Sequence, residues 1–138
     1  MIRADLRTYL LAQSSITTLI GQRLYLSRIP LPGTYPCVSY RRVSGGHFHD
    51  LQGSRGYCEA AIEIEVWSDD SEEVESVGDA IRQKLQGFVG TMGSTTVKRV
   101  TLDDEQDSFL PPIEGSDTGV HRTTFRYTIG FGVTIPTY

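Results

Sequence analysis

No apolar run in these 138 residues approaches the roughly 20 that cross a bilayer, which excludes a membrane-spanning helix. Cations are outnumbered, with 13 Lys and Arg against 17 Asp and Glu and a net charge of −4. Gripping DNA through its phosphates takes clustered Lys and Arg, so the chain carries no general nucleic-acid footprint. The opening residues Ile2, Arg3, Ala4, Asp5 and Leu6 do not follow the basic-then-apolar order of a secretory signal, and the chain is expected to fold in a cytoplasm. Internal repeats, low-complexity stretches and a serine nucleophile-elbow pattern are all absent. The glycine-rich segment Gly87 to Gly93 follows a helix and lacks a phosphate-binding lysine, so it reads as a turn.

The two cysteines do not predict a disulfide. If a strand from Cys37 to Val43 pairs antiparallel with Tyr57 to Trp67 around a turn near Asp50, Cys37 falls opposite about Glu63. That lies roughly 17 Å from Cys58, beyond the ~7 Å Cα limit for a bridge. Both thiols should be free, with Cys58 a small buried hydrophobe on an apolar face.

What the chain does contain is clearest between Tyr57 and Gly87. Cys58, Ala60, Ile62, Ile64 and Val66 share one face of a strand, while Glu59, Glu63, Glu65 and Trp67 share the other. Ser68, Asp69, Asp70 and Ser71 then offer N-cap side chains, and Glu72, Glu73 and Glu75 complement a helix dipole. Val74, Val77, Ile81 and Leu85 recur at helical spacing, Arg82 and Lys84 come late, and Gly87 is placed as the stop.

The remainder reads more coarsely. Ile2, Leu6, Tyr9 and Leu10 predict an N-terminal helix, with Ser14 or Ser15 capping a short continuation to Gly21. Arg23 to Ile29 is a strand candidate, and Pro30, Pro32, Gly33 and Pro36 mark a rigid loop. Ser44 to Gly56 reads as a long hairpin loop that projects and moves, Thr95 to Leu102 as a strand, and Asp103 to Gly119 as a second long loop. A final strand from Val120 alternates through Phe131, with a bulge expected at Gly130 or Gly132. The expectation is one α+β domain over residues 1–138: an antiparallel sheet with two main helices packed on one face, and long projecting loops.

Few residues point to chemistry. His47, His49 and Asp50 offer two imidazoles and an oxygen but lack the distant ligands of a closed metal site. Asp103, Asp104, Glu105 and Asp107 do not match a calcium loop and read as a solvated strand end. No catalytic, metal or cofactor residue is assigned. Trp67 on the polar face is a candidate anchor for a subunit contact. In the glycine-rich loop, Phe48, His49, Leu51 and Arg55 offer aromatic, apolar and cationic contacts to a partner, and the glycines raise the entropic cost of ordering the loop without one.

In order and spacing the chain resembles the tail-completion or tail-terminator proteins of long-tailed bacteriophages and prophages. The resemblance rests on a helix running into Leu19, Ile20, Gly21, Gln22, Arg23, Leu24 and Tyr25; a proline-rich loop; and Tyr35, Pro36, Cys37, Val38, Ser39 and Tyr40. It continues through a Ser44-Gly45 turn, Val66 and Trp67 before a helix, Leu85, Gln86, Gly87 and Phe88, and an acidic stretch from Leu102 to Asp107 ahead of the last strand. It implies a non-enzymatic virion protein: a homohexameric ring that caps the tail tube at its head-proximal end, stops polymerisation and presents the head-joining surface. Implied partners are the major tail tube protein and a head-completion or connector protein; DNA would pass through without specific binding, and no membrane is involved. In such a ring Glu59, Glu63, Glu65, Asp103, Asp104 and Asp107 are candidates for an acidic lumen that repels phosphate. The competing reading is a small metal-dependent hydrolase or ligand-binding module built on His47, His49 and the acidic stretch.

Overall fold

The computed structural model describes residues 2–29, 34–111 and 119–137. In chain order its elements are α1 (Ile2–Leu11), α2 (Ser14–Ile20), β1 (Leu24–Leu26), β2 (Cys37–Asp50), β3 (Gly53–Ser68), α3 (Ser71–Leu85), β4 (Gly90–Met92), β5 (Thr95–Leu110) and β6 (Val120–Gly132). One six-stranded sheet runs in the order β1-β2-β3-β6-β5-β4. The class is α+β as expected, but with three helices where two were expected. Nor is the sheet wholly antiparallel, because β1 pairs parallel with β2 from Leu24–Val38 to Leu26–Tyr40. None of the described helices is long and apolar enough to cross a membrane.

Alternation in β3 and β6 decides which side of the sheet is covered. Cys58 faces Phe131, Ala60 faces Ile129, Ile62 faces Tyr127 and Ile64 faces Phe125, and these side chains are buried together. Ile2, Leu6 and Leu10 of α1, Ile16 and Ile20 of α2, and Val74, Val77, Ile81 and Leu85 of α3 complete the same core. Burial of each large aliphatic contributes about 1.5–3 kcal/mol.

The start of α3 is fixed by Asp70, whose carboxylate accepts from Glu72 N at 3.0 Å. Asp70→Ala is expected to cost about 1 kcal/mol, measurable as a lower urea midpoint. Gly87 follows the helix with φ +77°, a conformation glycine adopts without strain. By contrast, α2 is preceded by Gln13 with no side-chain cap, so neither Ser14 nor Ser15 holds that position.

The expected loops are where the structure departs furthest. Ser44 to Gly56 is the outer half of a β-hairpin: β2 continues to Asp50, β3 begins at Gly53, and the Ser44-Gly45 pair lies within a strand. Asp50 closes the tip by accepting from Gln52 N at 2.8 Å and from Arg55 at 3.3 Å. The turn therefore sits beyond Asp50, and Cys37 pairs with Trp67 rather than with Glu63, still further from Cys58. Both cysteines are free and buried. Burial pushes the Cys37 thiol up to about 11 against the lowering pull of Arg23, and it raises Cys58 as well.

The second expected loop is likewise mostly strand, since β5 runs on through Asp103 to Leu110 against β6. Its remainder at 112–118, like Pro30, Pro32 and Gly33 of the proline-rich segment, lies outside the described residues. Of Arg23 to Ile29 only Leu24–Leu26 is strand, and the turn at Gly87 to Gly93 contains the short strand β4. The β6 ladder with β3 runs without a shift from Tyr57–Gly132 to Ser68–His121. The irregularities lie instead in its neighbour, between Val97 and Arg99 and between Leu102 and Asp104 of β5. Gly130 serves close approach: a Cβ there would sit 2.0 Å from Tyr57 Oη, so the missing side chain makes room for the tyrosine ring.

Tyr127 is fully buried, and its Oη has no hydrogen-bond partner among the described residues. Burial pushes its pKa far up, with Glu105 adding to the effect. Tyr127→Phe removes a desolvated hydroxyl and keeps the ring, so the melting temperature is expected to hold or to rise by the equivalent of about 1 kcal/mol.

Candidate functional site: the polar sheet face and two hairpin arms

Opposite the helices, the sheet carries a row of charges. Arg41 of β2 pairs in register with Glu63 of β3, Glu63 with Arg126 of β6, and Arg126 with Asp104 of β5. Arg41 reaches Glu63 Oε1 at 3.1 Å, and Arg126 reaches Glu63 Oε2 at 3.2 Å. The Glu63 side chain keeps only 6% of its exposure while both arginines stay more than half exposed. Next to this row, Trp67 Nε1 donates to Ser39 Oγ at 3.2 Å, and the Arg122 guanidinium lies 5.2 Å from the indole centre. That stacking is worth about 0.5–1 kcal/mol at a half-buried site. Further along, Arg99 lies 3.8 Å from Glu59.

Glu63 and Glu65 titrate in opposite directions. Burial alone would raise Glu63, but hydrogen bonds from Arg41 and Glu65 and the charges of both arginines hold it below the usual carboxylate range. Burial raises Glu65, and the hydrogen bond it shares with Glu63 raises it further. The Glu63 contribution to stability is therefore present above the unfolded carboxyl value of about 4.3 and is lost as pH falls through its lowered folded pKa. For Glu65 the contribution is complete below the unfolded value and is lost as pH rises through its raised folded pKa. In a melting-temperature series from pH 3 to 7, Glu63→Gln is expected to flatten the acid limb, and Glu65→Gln to raise the neutral plateau.

The candidate lumen acids do not form one group. Glu59, Glu63 and Glu65 share the polar face with Asp104, and Asp103 accepts there from Thr128 Oγ1. Asp107 accepts from the inward-facing Thr123 at 2.7 Å, and with Glu105 it lines an open groove beside α3. The candidate contact residues sit apart from Trp67, at the end of the β2–β3 hairpin. Phe48 is 43% exposed with its ring 5.2 Å from Tyr57, Leu51 is fully exposed at the tip, and Arg55 ion-pairs with Asp50. His47 and His49 are exposed, separated by a register shift, and among the described residues no group of three or more His, Cys, Asp or Glu converges on a common point. Sequence reasoning missed Arg41 as a partner of Glu63, because placing the turn near Asp50 shifts every cross-strand pair.

A second hairpin, β5–β6, carries exposed Phe109 and Leu110 near its tip. The ladder places Gly132 beside Tyr57 and His121 beside Ser68, so the β2–β3 hairpin projects past one end of the sheet while Phe109 and Leu110 lie at the other. A helix-backed sheet with exposed apolar side chains at both ends and paired charges across its open face offers surfaces for contact but no catalytic arrangement among the described residues.

The chain belongs to the family of tail completion protein gp17, whose profile matches residues 4–131. It is a phage tail structural protein. Among solved structures, a chain from the "Virion of native gene transfer agent (GTA) particle" is similar in fold, with a TM-score of 0.61 at 16% identity, over 94% of this chain and 91% of that one. No curated protein matches the sequence.

Proposed function

We propose that the protein caps the phage tail tube as a ring, ends tube polymerisation and provides the surface to which the head joins. Family membership over 4–131 is the observation that carries this reading. Exposed apolar side chains at both ends of one sheet, Phe48 and Leu51 on the β2–β3 arm and Phe109 and Leu110 at the other, support it, because a subunit between tube and head needs contacts along the tail axis in both directions. The ring is a homohexamer of the 15.3 kDa chain, about 92 kDa, closed by heterologous contacts. Its neighbours are the tail tube protein and a head-completion protein, and it sits at the head-proximal end of the tail after assembly in the host cytoplasm.

With the polar face turned inward, Glu59, Glu63, Glu65, Asp103 and Asp104 outnumber Arg41, Arg99, Arg122 and Arg126, and the ring presents a mildly acidic lumen that repels DNA phosphates. Glu63 is a poor probe of that idea, since reversing its charge breaks its ties to both arginines. Glu65→Lys, on the central strand β3 away from both sheet edges, is the better variant; it should assemble yet slow DNA ejection, and unchanged ejection kinetics would remove the lumen role. The ring itself is tested by native mass spectrometry of the protein and micrographs of tails. A single copy at the tail end would defeat the reading.

A further inference from the structure

Resting on the ring reading, we propose that neighbouring subunits join by β-sheet pairing, with the outer edge of β2 in one copy laid antiparallel against the outer edge of β5 in the next. Each edge is open where a short outer strand stops. The short strand β1 covers β2 only from Val38 to Tyr40, and β4 covers β5 only from Thr95 to Val97. Among the described residues, no strand pairs with the outer side of β2 from Arg41 to Asp50 or of β5 from Thr101 to Leu110. In unstaggered pairing β1 stands at the level of residues 105–107 of the neighbour and β4 at the level of His47, so the segments free to meet are 41–44 of β2 and 101–104 of β5; open edge segments recruit another strand unless something covers them.

Direction and charge select the partner. Each successive pair in β2-β3-β6-β5 is antiparallel, so β2 and β5 run in opposite senses. A rotation about an axis along the strands therefore brings β5 of one copy antiparallel to β2 of the next, the heterologous contact that closes a ring. The charged row then becomes informative. It reads Arg41, Glu63, Arg126, Asp104 from one edge of the sheet to the other, positive at the β2 end and negative at the β5 end. Without stagger, Asp104 of one copy meets Arg41 of the next, and plus and minus alternate unbroken around the ring. Around this point the two edges are complementary: Arg41 and Arg42 on β2, Asp103, Asp104 and Glu105 on β5. The acids on β5 would also deter pairing of two β5 edges, as native sheets do with charged edges.

The test uses two full-length variants, Asp104→Lys and Arg41→Glu. Each alone places like charges at every junction. In an equimolar mixture the introduced lysine of one variant meets the introduced glutamate of the other, and these junctions alternate with the native pairing of Asp104 and Arg41. Each variant alone is expected to need at least about tenfold more protein for half-assembly, read by native mass spectrometry, because opposite and like cross-strand charges differ by about a kcal/mol or more per junction. The mixture should return to within about threefold of wild type and show mixed rings. Circular dichroism and melting confirm that each variant is folded; should Arg41→Glu fail this, Arg41→Gln replaces it and relieves the repulsion of Asp104→Lys on mixing. Where the free chain stays monomeric, the same pools are scored on purified tail tubes. Variants that assemble alone as wild type does, or a mixture that does not recover, overturn the edge pairing and leave the ring standing. A single wild-type copy per tail overturns the ring itself.

Discussion

Gly78→Val is expected to lower the melting temperature by roughly 10 °C, the equivalent of about 3 kcal/mol for a domain of this size. Gly78 is buried in the middle of α3, against the ring of Phe125. A Cβ there would sit 2.6 Å from Phe125 Cζ and 2.9 Å from Cε2, well inside van der Waals contact, and the ring is itself buried where it borders the groove beside α3. Either the helix lifts from the sheet or the ring leaves its rotamer. Alanine separates the two opposing effects. In an exposed helix Gly→Ala gains about 1 kcal/mol, but overpacking costs about 1–3 kcal/mol, so Gly78→Ala should still be destabilised. Calorimetry on the alanine variant and on Gly78→Ala with Phe125→Leu decides the matter. A single variant that melts above wild type would show that α3 does not approach the sheet this closely.

Removal of the β2–β3 arm should act on assembly with little effect on the subunit. Replacing residues 48–57 with Asn-Gly keeps His47 paired with Cys58 across a two-residue turn suited to a hairpin. The excised segment includes Phe48 and Leu51, both exposed, and none of the buried core residues. Subunit melting is therefore expected to stay within about 1 kcal/mol of wild type. Tails assembled with the variant should fail to stop at their proper length or fail to join heads, lowering infectious yield by orders of magnitude. A normal yield would assign the docking contacts to another surface, with the β5–β6 tip at Phe109 and Leu110 next in line.

How far the fold could be read from sequence follows from where burial is one-sided. In β3 from Cys58 to Val66 and in β6 from Thr123 to Phe131, one face meets the helices and the other meets polar groups, so side chains alternate and the strands are plain. The same holds for α3, with its apolar stripe, acidic start and glycine stop. On the arms this signal vanishes. Residues 41–50 of β2 are exposed along their whole length, so the ladder alone holds them extended and nothing demands a period of two. Gly45 and Gly46 then read as loop, as did the acidic stretch Asp103 to Asp107, although both are strand. The three-residue strand β1 is too short to declare itself or its parallel sense. Of the candidate site, the acids on the polar face were legible through alternation in β3. Arg41 was not, because its place opposite Glu63 depends on the exact position of the turn.

The bulges are unevenly distributed, and this has a mechanical consequence. The central β3–β6 ladder is uninterrupted, whereas β2 shifts register between Arg42 and Ser44 and β5 between Leu102 and Asp104. A bulge bends a strand and increases its local twist. The molecule thus behaves as a stiff beam with pliant flanks. Sliding of β3 against β6 is resisted by an unbroken set of hydrogen bonds, while the flanks can alter curvature without disturbing that line. In the proposed ring, a subunit made this way would transmit axial force yet tolerate small differences in radius.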